Sequence, residues 1–124
     1  MTWTSSQQDL YGFLEDRFAC ALACTECART CALRAGVLDP DGSGDAERLR
    51  RTGIMCAEVC EATCRALTEE AGLDAAGLRV QLQWCRTVCL DSARAFDGRP
   101  GAEPNATACR ACAAACTDFM AALG

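Results

Sequence analysis

At 124 residues, with 51% hydrophobic and 23% charged side chains, residues 1–124 have the composition of a single globular domain rather than of a disordered or fibrous chain. A net charge of −5 argues against a nucleic-acid partner, whose phosphates demand a basic face, and no apolar run reaches the ~18 residues that a membrane span needs. Twelve cysteines depart from ordinary usage, and Met1 to Leu10 carries neither a basic nor an apolar export signal, so a cytoplasmic setting with reduced thiols is expected.

The first predicted helix opens at Ser5, with Gln8 three residues on as a capping box, and covers about 6–36 up to Gly36. Beyond the turn-forming run Asp39-Pro40-Asp41-Gly42-Ser43-Gly44, a second helix starts at Ser43 or Asp45, carries Glu47 in its first turn and covers about 45–71, leaving at Gly72. Asp74 caps a third, about 74–97, which the breakers Gly98-Arg99-Pro100-Gly101 end. The fourth starts at Asn105 or Thr107 and covers about 105–123. No stretch alternates with the period of two that a strand requires. The expected class is all-α, an antiparallel up-down-up-down four-helix bundle with a cysteine-lined core. Gly53 and Gly77 each cost about 1 kcal/mol relative to alanine in a helix interior and would permit close packing.

The cysteines keep helical register throughout. Cys20, Cys24, Cys27 and Cys31 fall on the first helix, Cys56, Cys60 and Cys64 on the second, Cys85 and Cys89 on the third, and Cys109, Cys112 and Cys116 on the fourth, always at steps of three or four. Each stripe continues into apolar residues: Leu10 with Phe13 or Leu14, Leu49 with Leu67, Leu78 and Leu82 with Phe96, and Phe119 or Met120. At about 1.5 Å rise per residue the four stripes overlap along one axial band. Phe13, Leu14, Leu67, Leu78 and Phe119 would plug one end, whereas few large apolar residues remain at the other, so Cys31 and Cys109 are the expected points of first contact for an incoming ion.

Six CxxxC pairs bring thiolates to neighbouring turns, about 5 to 6 Å apart at Cβ. Soft thiolates select copper(I), zinc or iron–sulfur clusters, and copper(I) accepts two or three sulfurs. One copper(I) per released proton leaves a filled core near neutrality, whereas zinc on four thiolates carries −2 per site. The alternative is an iron–sulfur or zinc protein acting in electron transfer or as a metal chaperone, suggested by the CxxC pairs Cys24 with Cys27 and Cys109 with Cys112, although the ferredoxin proline is missing. Air oxidation to disulfides is a further rival, but bridges between i and i+4 constrain little. With no His beside a nucleophilic cysteine and no phosphate loop, an enzyme is not expected. Met55 and Met120 are read as core filling ahead of thioether ligation, and Trp3 and Trp84 as packing or interface residues.

On these stripes the chain resembles the four-helix-bundle copper storage proteins, in their leaderless cytosolic branch. The resemblance implies that all twelve cysteines face inward and hold multiple copper(I) ions per chain. It also implies a homo-oligomer, specifically a tetramer, and traffic with copper chaperones or copper enzymes. Two departures stand out: there is no His to serve as an accessory ligand, and the cysteine count is below that of the richest relatives, which implies a smaller capacity.

Overall fold

The computed structural model describes residues 4–37, 44–69 and 73–123, and among them the chain forms four helices and no strand: α1 Ser5–Val37, α2 Asp45–Thr68, α3 Ala75–Phe96 and α4 Glu103–Leu123. Trp3, Ser43 and Gly72, together with most of the 39–44 turn, lie outside the described residues. Side-chain caps hold the entries of α1 and α3. Thr4 and Gln7 form the capping box of α1, Gln7 N–H donating to Thr4 Oγ1 (3.1 Å) and Thr4 N–H to Gln7 Oε1 (2.9 Å). This pair sits one residue ahead of the expected Ser5 and Gln8, because Thr4 offers the same chemistry one position earlier.

Gly44, at φ 86°, precedes α2, whose first turn carries Asp45 and Glu47 next to the positive end of the helix dipole. Asp74 caps α3 by accepting from Gly77 N–H at 2.8 Å. Asp74→Ala is expected to destabilise the fold by about 1 kcal/mol, readable as a small fall in the urea midpoint. Gly98 and Gly101, at φ 74° and 78°, shape the α3–α4 turn. The chain re-enters helix at Glu103, ahead of the expected Asn105, because Pro104 suits a first turn where no N–H is needed.

Among the described residues α1 packs against α2 and α4, and α3 packs against the same two. The backbones of diagonal helices stay apart, and side chains from all four helices meet along the axis between them, as Cys27 does with Cys89 (4.0 Å) and Cys60 with Cys112 (3.9 Å). Arg17 donates to the carbonyls of Leu67 (2.6 Å) and Ala66 (3.4 Å), closing the C-terminal end of α2, and Arg79 does the same for α4 at the Met120 carbonyl (3.0 Å). Gly53 lets α2 approach α1 closely: a Cβ there would lie 3.2 Å from the Cys31 carbonyl oxygen and 3.6 Å from the Phe96 ring. Gly77 meets only its own turn, at Leu73 and Asp74.

Each end of the central space is plugged. Phe13 tilts against Phe119 at 5.4 Å, with Leu67, Leu78 and Leu82 buried alongside. Leu14, expected in this plug, is 38% exposed, and Leu10, expected on the stripe that continues into it, is 60% exposed. α1 is 33 residues long against 24 in α2, so its first turns overhang the partner helices, and Leu14 lies about 100° around the helix from Phe13. The opposite end is closed by Leu49, Phe96, Ala102 and Ala106. This corrects the expectation of a loose end: Cys31 and Cys109 are both 0% exposed, because two alanines from the α4 entry complete a seal whose large members come from α2 and α3. Met120 is buried, as core filling demands, whereas Met55 and Trp84 are exposed on the surface.

Candidate metal centre

All twelve cysteines are free thiols, and eleven of them are buried to 1% exposure or less. Their inward direction follows from the three- and four-residue steps that put each helix's sulfurs on the face turned to the central space. Four groups of four sulfurs form there, every sulfur within 4.8 Å of the others in its group. From the Leu49–Phe96 end they are Cys27, Cys31, Cys56 and Cys109; then Cys27, Cys56, Cys60 and Cys89; then Cys60, Cys85, Cys89 and Cys112; and finally Cys24, Cys85, Cys112 and Cys116.

Consecutive quartets share a pair: Cys27 with Cys56, Cys60 with Cys89, and Cys85 with Cys112. The result is an unbroken ladder of ten sulfurs, with contacts of 3.6 Å from Cys31 to Cys109, 3.5 Å from Cys60 to Cys89 and 3.6 Å from Cys112 to Cys24. Each quartet takes one CxxxC pair from a single helix and one sulfur from each of two others. The pairs Cys27 with Cys31, Cys56 with Cys60, Cys85 with Cys89, and Cys112 with Cys116 serve in this way. Cys20 and Cys64 belong to no quartet. The CxxC partners Cys24 and Cys27 fall in different quartets, as do Cys109 and Cys112, so neither pair presents the compact loop signature of a ferredoxin cluster.

Polar neighbours of the ladder are few. Ser92, fully buried, accepts from the Cys109 thiol at 3.4 Å, and buried Thr63 donates to the Val59 carbonyl (2.8 Å) while accepting from Gln81 Nε2 (2.9 Å). The sequence reading missed both hydroxyls; their place on the core stripes, three residues beyond Cys89 and Cys60, was the available signal.

Burial disfavours a bare thiolate, and contact with other sulfurs splits the set. Hydrogen bonding from Cys116 and Cys24 draws Cys20 down to about 5, and Cys109 and Cys31 help draw Cys27 down to about 6. Contact with Cys112 pushes Cys24 and Cys60 far up, with burial adding to the rise. Thiols of the raised set, Cys24 and Cys60 among them, keep their protons at neutral pH. A thiolate-seeking ion must displace the protons held by the raised set, so its affinity is expected to strengthen with pH, about tenfold per unit for each proton displaced. Competition titrations at pH 6, 7 and 8 check the sign, and a pH-independent affinity would show that the ion binds outside the thiols.

The sharing of pairs discriminates among soft metals. A closed mononuclear zinc site takes four thiolates, so the ten sulfurs of the four overlapping quartets hold at most two mononuclear sites. Ions content with two or three sulfurs, and tolerant of bridging thiolates, use the whole ladder, and copper(I) is the biological ion of that kind.

The profile of the copper storage protein family (Csp) matches residues 6–121. No curated protein matches the sequence significantly. A solved structure described as a cytosolic copper storage protein from Streptomyces lividans with five coppers is 32% identical, with a TM-score of 0.80 over 88% of this chain and 95% of that one. A histidine-to-alanine mutant of the Streptomyces lividans protein is 34% identical, with a TM-score of 0.78 over 89% and 96%. A form loaded with 10 copper equivalents is 33% identical, with a TM-score of 0.59 over 93% and 86%.

Proposed function

Because the chain belongs to the copper storage protein family, we propose that it takes up several copper(I) ions and holds them, without turnover, along its sulfur ladder. The observation that carries this reading is the sharing of sulfur pairs between successive quartets, an arrangement suited to a row of closely spaced monovalent ions. All twelve cysteines are proposed as ligands, ten within the quartets and Cys20 and Cys64 at their margins. The five-copper and ten-equivalent forms of the Streptomyces lividans protein support multiple ions per chain. Packing of all four helices around one space supports reading residues 1–124 as one domain.

Two finer points belong to the same proposal. The relative's description as cytosolic supports a cytoplasmic site of action, where donors and acceptors of copper would be chaperones or copper enzymes; none of the described helices is long and apolar enough to cross a membrane. A homo-oligomer, a tetramer by family resemblance, belongs to the same reading, and the exposed stripe Leu10, Leu14, Phe18 and Leu22 on successive turns of α1, an apolar face of the kind that association covers, supports association.

The test is an anaerobic copper(I) titration against a competing chelator, with bound metal counted per chain. About 10 or more ions are expected. A count of one or two would abandon storage in favour of a chaperone or zinc site.

A further inference from the structure

The ladder is sealed at both ends, so the route by which copper(I) reaches it must be sought along the sides. Cys64 is the one thiol of the twelve that is not buried. It lines a groove of about 520 Å³ between α1 and α2, beside Thr25, Ala28, Ala57, Glu61 and Arg65, a volume within the usual range for small-ligand sites, roughly 300 to 1,000 Å³. The Thr25 hydroxyl, itself donating to the Ala21 carbonyl at 2.9 Å, meets the Cys64 sulfur at 3.1 Å and fixes it at the groove wall. One helical turn inward lies Cys60, whose sulfur belongs to both central quartets. Cys64 therefore lies between solvent and the middle of the ladder, in a groove whose wall sets Ala28, Ala32 and Ala57 beside charged Arg29, Glu61 and Arg65.

We propose that Cys64 is the loading residue, a lateral port at which copper(I) carried by a small thiol is transferred to the protein. This rests on the storage reading above. Cys64 loses its proton to solvent and its sulfur attacks copper(I) held by two small-molecule thiolates, forming a three-coordinate ion. One carrier thiolate departs and takes up a proton. Cys60 then displaces the second carrier in the same way, and as the ion moves on to Cys89 and Cys112 their protons pass to the vacated Cys64 and Cys60. No electron changes hands, and each thiol proton lost is matched by one gained on a departing carrier or a vacated cysteine.

The experiment is anaerobic stopped-flow loading of the folded protein with copper(I)–glutathione, compared with Cys64→Ser. The variant is expected to load about tenfold more slowly or worse while its final copper count falls by about one ion at most. Loading at the wild-type rate overturns the port. A second measurement needs no copper: brief treatment of the folded protein with N-ethylmaleimide should place the first adduct on Cys64, and a first adduct on any other cysteine also overturns the proposal. A chain that binds no copper(I) while showing the Cys64 adduct would sink the storage reading and leave the accessible thiol intact, so the two failures are distinguishable.

Discussion

Filling the ladder with copper(I) is expected to raise the melting temperature by at least about 15 °C, and removing the metal with a strong chelator should reverse the shift. Without metal, the sulfurs contribute only as small apolar groups in contact at 3.5 to 4.0 Å. Each ion that binds the folded quartets and not the open chain stabilises the fold by about 4 kcal/mol at free metal a thousandfold above its dissociation constant. For a domain of this size, 1 kcal/mol corresponds to roughly 3 to 5 °C, so one tightly held ion gives roughly 12 to 20 °C and several exceed the stated minimum. Far-UV circular dichroism melts under anaerobic conditions, with and without copper(I), check the effect. An unchanged midpoint would mean that the metal sits on thiols as available in the unfolded chain as in the folded one.

Phe96→Ala should produce the second large effect. The Phe96 ring is 1% exposed and closes the end of the bundle with Leu49, Ala102 and Ala106. Removing it leaves a cavity that neighbouring alanines cannot fill, at a cost of about 3 to 5 kcal/mol and hence a fall of roughly 9 to 25 °C. The same change uncovers Cys31 and Cys109. The variant is expected to gain alkylation at those two sulfurs under conditions in which the parent protein keeps them protected. Loss of stability without new alkylation would mean that Leu49 and the α4 entry seal the end unaided.

The bundle and its sulfur lining were legible because cysteine is easy to see and keeps a strict three-and-four step on every helix. Four of the six CxxxC pairs, from Cys27 with Cys31 to Cys112 with Cys116, form one side of a quartet each. The other two do not, and the reason is helical drift. Eight residues at 100° each leave Cys64 about 80° away from Cys56 around α2, toward the seam with α1, whereas the seven residues between Cys109 and Cys116 leave only about 20°. Cys20 stands beyond the last quartet, where aromatic packing takes over.

The seal over Cys31 was not legible, since half of it is alanine, which signals nothing by size, and its partners come from three helices. The exposure of Leu10 escaped for the opposite reason: an apolar residue on the correct face of a helix says nothing about whether a partner helix reaches that far. Ser92 and Thr63 were overlooked because hydroxyl residues on a helix usually point outward, and only the stripe position told otherwise.

The common edges between neighbouring quartets carry a consequence for how cargo would travel. An ion stepping from one rung to the next can stay on the shared pair while any further contact changes, like a climber who never releases both hands. Such hand-over-hand passage has no moment at which the metal is bare. Traffic through a watertight shaft therefore requires neither an opening of the bundle nor a helper inside it, and the queue can advance or retreat as places become vacant.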